Sequence, residues 1–361
     1  MGALPPEIVR LIRALHDFFR SFLRGNPKKN IANRLLYPHR SGPVNPHFPG
    51  CDTLPFVMDR KRSLRYSLRR LLAFPLLRAA GKPESPSPSE GELLFELAGE
   101  NPGNLLFGRF DDEAVRDRLS RAGILEGLAA RGYPDPMLAL ECEDPADQRI
   151  SLFAGRISRE RLLLEARLEL CRFRLRKAVG PFEEGASFRM LTIHWLSLSD
   201  PDRPFSPARP RLPGQQRPGL GLMPQSLALL KILGRELSID GVLDVPDHFH
   251  TALFYSRAFR FLEPESEGRF QAIARDLRGI PLALASEAAE TGCLIDASTG
   301  ETLAWEPAEQ VMPIRGSLRG HIRSEDYLRL RDQASSALRV SVDWDLYRLR
   351  IAEKGASGNY P

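Results

Sequence analysis

The sequence is poor in the residues that build metal centres and disulfide frameworks. Its 361 residues include four cysteines, Cys51, Cys142, Cys171 and Cys293, and no two of them have the Cys-x-x-Cys spacing. Scattered cysteines argue against both a zinc knuckle and a disulfide scaffold. The sequence therefore predicts no metal site, and this cysteine usage favours a reducing cytoplasm.

Long apolar runs are missing as well. No stretch of about 18 consecutive apolar residues occurs, so a membrane-spanning helix is not expected. Pro5, Pro6 and Glu7 stand where a signal peptide would have its apolar stretch, which again favours the cytoplasm. The apolar fraction of 42% is enough for a sizeable core, and the length predicts two domains or one elaborated domain.

Positive charge is concentrated in residues 1–82, which carry 16 Lys/Arg against 4 Asp/Glu and leave 35 basic and 42 acidic residues elsewhere. Residues 7–23 and 60–80 predict amphipathic helices, the second rich in arginine. A basic arm of this kind binds an anionic membrane or nucleic acid, or packs on the acidic body with its aliphatic stems over the core. The sequence leaves both interpretations open.

The pattern of apolar residues predicts an α/β chain in three regions. A Pro/Ser-rich linker at residues 83–89 ends a basic region, 1–90; a body follows at 91–264 and a C-terminal extension at 265–361. In the body, strands are predicted over residues 93–97, 105–110, 137–142, 149–153, 162–175, 188–198 and 239–245, and helices over 111–131, 225–237 and 249–258.

The extension continues the mixture of helices and strands. The pattern predicts a helix over 267–287 that is broken or bent at Pro281, a hairpin over 293–304 and an irregular segment over 306–315. A helix over 324–338 and a strand over 340–351 complete the chain. Nothing in this region indicates a site.

The segment from Gln216 to Leu222, Gln-Arg-Pro-Gly-Leu-Gly-Leu, has the composition of an anion-binding loop. Glycine lets the backbone turn with its N–H groups exposed, and the helix predicted directly after it adds its positive dipole end. The amides of Gly219, Leu220, Gly221 and Leu222 would then bind a pyrophosphate. A structural turn before an ordinary helix is the alternative.

The order strand, glycine loop, helix, strand, helix, strand over residues 188–264 resembles the acyl-CoA-binding half of the GNAT superfamily of N-acyltransferases. Gln-x-x-Gly-x-Gly begins at Gln216, and the run from Ala252 to Phe259 is similar to the family's Ala-Leu-Tyr-x-x-x-Gly-Phe segment. The resemblance implies a mixed, mostly antiparallel sheet flanked by helices. It also implies acetyl-CoA or another acyl-CoA as substrate, with direct transfer of the acyl group to an amine that the sequence does not identify.

The sequence departs from the family pattern at three places. Phe254 stands where the family has the tyrosine that protonates the leaving thiolate, Ala258 replaces a glycine, and a Pro/Arg-rich insertion over residues 199–215 precedes the loop. Tyr255 is the nearest tyrosine and the candidate acid. One residue rotates a helical side chain by about 100°, so the ungapped register would turn Tyr255 away from the thiol. A structural tyrosine is the alternative.

Histidines supply the remaining candidates. His194 lies on the strand that would run beside the acyl group and is the candidate base for the amine proton, with a hydrogen-bonded structural role as the alternative. His248 and His250 lie two residues apart, but no third ligand at a suitable spacing follows them, so helix capping or solvent exposure is favoured over a metal site. The arginines of the insertion would clamp phosphates or the acceptor, or they belong to a solvated loop.

Three hypotheses follow from the sequence. The first is an acyl-CoA-dependent N-acyltransferase that uses Tyr255 and His194. The second, motivated by the displaced tyrosine, is a non-catalytic module that keeps the fold and senses or binds. The third is association with a membrane or nucleic acid through residues 1–82.

Overall fold

The computed structural model describes residues 51–53 and 105–356. The helices predicted over residues 7–23 and 60–80 and the strand predicted over 93–97 lie outside the described residues. The same is true of the predicted linker and of almost all of the basic arm.

Strands and helices alternate along the described chain. The strands are β1 (Cys51–Thr53), β2 (Pro136–Glu141), β3 (Gln148–Ala154), β4 (Leu162–Arg174), β5 (Ser187–Leu198), β6 (Gly241–Asp244), β7 (Arg260–Phe261), β8 (Leu294–Asp296), β9 (Thr302–Leu303), β10 (Gln310–Pro313) and β11 (Val340–Val342). The α-helices are α1 (Asp112–Arg121), α2 (Ile124–Ala129), α3 (Met223–Glu236), α4 (Phe249–Tyr255), α5 (Pro264–Asp276), α6 (Leu282–Glu290), α7 (Gly316–Ile322), α8 (Glu325–Ala337) and α9 (Trp344–Ala356).

A large sheet organises these elements, in the order β2-β3-β4-β5-β6-β10-β7 with β1 beside β4. All of its pairings are antiparallel except that of β5 with β6, which is parallel. A smaller antiparallel sheet has the order β11-β8-β9. This architecture confirms the predicted α/β class with a mostly antiparallel sheet flanked by helices.

Successive side chains of each strand point to opposite faces of the large sheet, and buried side chains form a separate core cluster on each face. One face carries Leu152, Leu168 and Ile193 and packs against the leucines of α1, α2 and α3. The other carries Phe173 and Met190 and forms a smaller cluster with Leu318 of α7. Burial of one such side chain contributes about 1.5 to 3 kcal/mol, so these faces determine which way each strand is turned. None of the helices among the described residues is both long and apolar enough to cross a bilayer.

Two predicted elements of the body differ from the structure. Residues 105–110 form a tight turn closed by a bridge between Leu106 and Phe110, because Phe107 and Gly108 have φ angles of 51° and 56° that a strand does not allow. The helix predicted over 111–131 is two helices, α1 and α2, separated at Gly123, whose φ is 77°.

The C-terminal extension holds two more differences. The segment 306–315, predicted to be irregular, contains β10, because pairing with a strand on each side overrides a weak local propensity. The strand predicted over 340–351 ends at Val342, and the carboxylate of Asp343 accepts the amide of Leu346 at 2.9 Å in the first turn of α9. Because β10 lies between β6 and β7, the large sheet takes a strand from beyond Pro264.

One cysteine also departs from expectation. Cys171 on β4 is disulfide-bonded, whereas Cys142 and Cys293 are free. The cysteine spacing predicted no disulfide, but the sheet places residues 51–53 beside residues 171–173 by pairing β1 with β4. A disulfide there does not fit the reducing compartment that the sequence favours.

Gly268 makes the close approach of α5 and α8 possible. A Cβ atom at this position would lie 2.3 Å from the carbonyl oxygen of Arg331 and 2.6 Å from Cβ of Ala334. We expect Gly268→Ala to lower the free energy of unfolding by about 2 kcal/mol in urea denaturation, since overpacking outweighs the helix preference of alanine. Gly279→Ala is the matched control, because nothing lies within 4 Å of its added Cβ. Equal stability of the two variants would contradict this packing.

Candidate functional site

The sheet divides where β5 and β6 separate. Their parallel pairing covers three pairs, from Met190 with Gly241 to Thr192 with Leu243. β6 ends at Asp244, whereas β5 continues to Leu198 beside β4 alone among the described strands. The edge of β5 from residue 193 to residue 198 therefore has no strand beside it among the described residues, and the space next to this edge is termed the gap.

A β-bulge lies at the start of this gap. Arg167 of β4 is opposite Trp195 while Leu168 is opposite Ile193, so His194 is the extra residue. A bulge increases the local twist and leaves the extra residue out of the ladder. The bulge lies at the level where β6 ends.

The loop before α3 follows the far end of β5. The amide of Asp200 donates to the carbonyl of Pro218 at 2.8 Å, and a Cβ at Gly219 would lie 3.7 Å from the carbonyl oxygen of Leu198. Gly221 has a φ of 66°, in the left-handed region that favours glycine. The predicted glycine loop is therefore at the gap, and Gly221 is exposed.

Four successive backbone amides of this loop are unpaired. Within the described part of the chain, no group accepts a hydrogen bond from the amides of Gly219, Leu220, Gly221 or Leu222. Leu220 and Leu222 are buried as whole residues, at 3% and 0% exposure, so solvent reaches the loop at the half-buried Gly219 and the exposed Gly221. Leu222 is the N-cap of α3 and gives no side-chain cap to the first turn of the helix, in which Pro224 has no N–H to offer. Gln216 at the start of the loop is exposed.

Arg131 adds a positive charge beside the loop. Its Nε donates to the carbonyl of Leu220 at 2.5 Å, its Nη1 to the carbonyl of Gly127 at 2.7 Å and its Nη2 to the carbonyl of Gly221 at 3.4 Å. These bonds turn the loop carbonyls toward the guanidinium, and together with the helix dipole they make the loop electropositive. Sequence analysis missed Arg131, because it lies some 90 residues earlier and only the tertiary structure brings it here.

The insertion over residues 199–215 is held by a buried carboxylate. Asp200 is 1% exposed and accepts the Tyr133 hydroxyl at 2.7 Å. Arg203 and Arg209 lie 3.5 and 4.0 Å from its other oxygen. Two of the arginines considered as phosphate clamps are therefore paired with Asp200 within the insertion itself.

The structure turns Tyr255, rather than Phe254, into the core. Tyr255 is 2% exposed, belongs to the cluster of the β5–β6 face and lies 5.1 Å from the Phe259 ring, centroid to centroid. Phe254 is partly exposed and packs on His250. Burial, and after it the charge of Asp244, raise the pKa of the Tyr255 phenol well above its ordinary value, so the phenol keeps its proton at neutral pH.

His194 and Tyr255 are on opposite faces of the sheet. His194 Nε2 lies 3.0 Å from Glu169 Oε2, and Glu169 is 1% exposed. Leu168, the residue before Glu169, packs on the face that carries Tyr255, so Glu169 and the ring bonded to it are on the other face. The structure does not bring the two candidate residues into contact, because they belong to opposite faces of the sheet.

His248 and His250 have structural partners. Their rings stack 5.2 Å apart, His248 Nδ1 lies 2.8 Å from Glu290 and His250 Nδ1 lies 2.7 Å from the Ser286 hydroxyl. Within residues 105–356 no group of three or more His, Cys, Asp or Glu side chains has the arrangement of a metal site.

Sequence analysis did not identify two further polar residues that lie at the gap, Asp244 and Gln310. Asp244 ends β6, and Gln310 of β10 is its direct partner in the register. The segment of Gln310 was predicted to be irregular, so no sequence signal connected it with residues 241–244. Its position depends entirely on the insertion of β10 into the sheet.

Comparison with known proteins gives no relative for this chain: no protein-family model, no curated protein and no solved structure matches it.

Burial makes His250 a source of acid instability. Burial, and after it the nearby His248, lower the pKa of His250 to about 4, from about 6.5 in the unfolded chain. Between these two values the unfolded state binds a proton that the folded state does not, so stability is full above about pH 6.5 and falls as the pH decreases toward 4. We expect protonation of His250 in the unfolded chain to lower the free energy of unfolding by roughly 2 to 3 kcal/mol as the pH falls from 7 to 4.

Urea denaturation of His250→Asn at several pH values measures this contribution. The variant should lose less stability than wild type over that range. Ser286→Ala is the matched control, because it removes the partner of His250 Nδ1 and keeps the imidazole. It should lower stability at pH 7 yet retain the pH dependence; parallel pH profiles for His250→Asn and wild type would refute the assignment.

Proposed function

We propose that this protein is an acyl-CoA-dependent N-acyltransferase, with acetyl-CoA as the first donor to test. The observation that carries the proposal is the row of four free amides at the uncapped start of α3, beside the gap between the parallel strands β5 and β6. The order of elements around this gap agrees with the resemblance of residues 188–264 to GNAT acyltransferases. A cytoplasmic location belongs to the proposal, and the disulfide at Cys171 is the observation against it.

The loop suits a diphosphate for electrostatic reasons. Several N–H groups that converge on one point, a helix dipole and a nearby guanidinium all favour negative charge. Arg131 supplies the charge without occupying the loop amides, since it is bonded to carbonyl oxygens on the other side of the backbone. The 3′-phosphate and the adenine of CoA would extend from here into solvent.

The gap provides a route from the loop to the reacting carbonyl. Leu198 lies five residue steps beyond Ile193, which is about 16 Å along an extended strand. An extended pantetheine arm can lie along this edge of β5 and donate and accept hydrogen bonds as a strand would. The thioester would then lie near the bulge, between Tyr255 on one face and His194 on the other.

Direct transfer needs one base and one acid at this point. The amine nitrogen attacks the thioester carbonyl carbon, the C–S bond breaks, and the departing sulfur takes a proton. We assign the acid to Tyr255, whose buried phenol keeps its proton. We assign the base to His194, directly or through a water molecule, with Glu169 orienting the ring. An amine that approaches from the His194 face would meet a thioester that arrives from the Tyr255 face.

A non-catalytic acyl-CoA-binding module is the second candidate. It is favoured by the burial of Tyr255 at 2% exposure and by the bond between His194 and Glu169, since neither residue is needed to hold the nucleotide. The two candidates agree on binding and differ on turnover. Association of residues 1–82 with a membrane or nucleic acid remains a separate hypothesis, which salt-dependent binding to anionic vesicles and DNA would test.

The loop assignment predicts that Gly221→Asp abolishes binding. The substitution puts a carboxylate among the amides and a side chain on a residue whose φ is 66°. We expect the affinity for acetyl-CoA, measured by isothermal titration calorimetry, to fall at least tenfold, which is about 1.4 kcal/mol. Gly300→Asp, at an open turn position with a φ of 78°, is the matched control and should bind as wild type does. Unchanged affinity of Gly221→Asp would remove the phosphate site from this loop.

The assignment of the acid predicts a selective loss of turnover in Tyr255→Phe. We expect kcat for thiol release with a reactive amine to fall about 100-fold, while the Kd for acetyl-CoA stays the same, because only the proton donor is removed. Phe254→Leu, next to it on the same helix, should keep its kcat. Full activity of Tyr255→Phe would exclude the phenol as the acid, and binding without thiol release from any amine would favour the non-catalytic module.

A further inference from the structure

Asp244 and Gln310 form a buried polar pair at the gap. They are direct partners across the antiparallel pairing of β6 with β10, so their side chains project from the same face. That face is the one that carries Tyr255, because Val242 and Met312, two residues away on each strand, belong to the same core cluster as Tyr255. Gln310 is fully buried and Asp244 is 7% exposed.

Neither side chain is satisfied by the protein. Asp244 Oδ2 and both Nε2 and Oε1 of Gln310 are buried and have no hydrogen-bond partner within residues 105–356. Buried polar atoms nearly always have partners, and an exception calls for a ligand, an ion or a water molecule. Three such atoms on two adjacent residues, on the face that carries the aliphatic and aromatic side chains around Tyr255, indicate a prepared binding position.

The chemistry of the pair selects a neutral group. A primary amide both donates and accepts. Burial, with Asp247 as the second cause, raises the pKa of Asp244 well above its ordinary value and so favours the protonated carboxyl, which also donates and accepts. An anion would meet the acceptor oxygens of both residues, and a cation would lack a charged partner. A secondary amide, which has one N–H and one carbonyl, matches both residues.

The place of the pair matches the path of the cofactor arm. The parallel register puts Asp244 next to Ile193, one step beyond the last pair, Thr192 with Leu243. This is the closed end of the gap, about 16 Å along β5 from the loop that follows Leu198. A chain that enters from the diphosphate loop and follows the edge of β5 therefore comes within side-chain reach of Asp244 and Gln310 as it approaches the bulge at His194.

We propose that Asp244 and Gln310 bind a secondary amide of the pantetheine arm of acyl-CoA and so position its thioester between Tyr255 and His194. The proposal rests on the proposed function, since it requires a ligand whose diphosphate is held by residues 219–222. Asp244 and Gln310 are positioning residues in this arrangement. They distinguish a donor with an amide-containing arm from a nucleotide without one.

Calorimetric titration of CoA and ADP into wild type and Gln310→Met tests the proposal, because ADP has the diphosphate without the arm. We expect wild type to bind CoA more tightly than ADP. Gln310→Met should weaken CoA binding about tenfold, the loss of one or two hydrogen bonds to a buried group, and leave ADP binding unchanged. Asp244→Asn, which keeps a neutral group that donates and accepts, should bind CoA as wild type does, whereas Asp244→Leu should weaken it as Gln310→Met does.

Gln271→Met is the matched control for loss of a glutamine amide. Gln271 is partly buried on α5 and donates to Glu267 at 2.8 Å, away from the gap, so this variant should bind both ligands as wild type does. The thermal midpoint without ligand gives a second measurement. Gln310→Met should unfold at the same temperature as wild type or higher, because it replaces an unsatisfied buried amide by a thioether of similar size.

The outcomes separate the two proposals. If wild type binds neither CoA nor ADP, the diphosphate loop is wrong and both proposals end. If ADP binds and CoA binds no more tightly, or if Gln310→Met leaves CoA affinity unchanged, the loop stands and the amide position is refuted. A lower thermal midpoint of Gln310→Met without ligand would show that Asp244 and Gln310 stabilise each other, and would also overturn the proposal.

Discussion

The short parallel pairing between β5 and β6 is the constraint on which the rest of this structure depends. A parallel pair needs a crossover connection, and here that connection contains the glycine loop and α3, so the loop must lie at the end of the sheet where the two strands separate. After three pairs β6 ends, and the bulge at His194 lies at the same level of β5. The gap and the position of the loop with its unpaired amides are consequences of this one arrangement.

Tyr255 and His194 belong to opposite faces of the sheet, and the proposed mechanism gives them separate chemical roles. Tyr255 belongs to the face covered by α3, whereas His194 and Glu169 belong to the opposite face. In the proposed mechanism the donor and the acceptor would therefore not need to share one entrance. Proton removal and proton delivery would likewise take place on different sides of the reacting carbon.

The C-terminal extension contributes to the site as well as to stability. β10 is the strand next to β6, so it brings Gln310 beside Asp244 at the end of β6. The extension is held on the sheet by packing of the kind seen at Gly268, where α5 and α8 come too close to admit a methyl group. Loss of that packing would affect β7 and β10 together, because α5 follows β7 directly and α8 follows β10 after one short helix.

Sequence alone determined the local elements of the body and the composition of the loop. The strands at 137–142, 149–153, 162–175, 188–198 and 239–245 and the helices at 225–237 and 249–258 were predicted to within a few residues, because alternation and helical spacing are local signals. The break at Pro281 and the helix over 324–338 were predicted for the same reason.

Tertiary structure alone decided which residues meet. The ungapped register turned Tyr255 away from the site, yet packing on β6 buries Tyr255 and leaves Phe254 partly exposed. Arg131 and Gln310 reach the gap from about 90 residues before and after the loop, and neither has a neighbour in sequence that would reveal this. Propensity and periodicity describe a few neighbouring residues, whereas strand order and the pairing of distant side chains depend on how the whole core is filled.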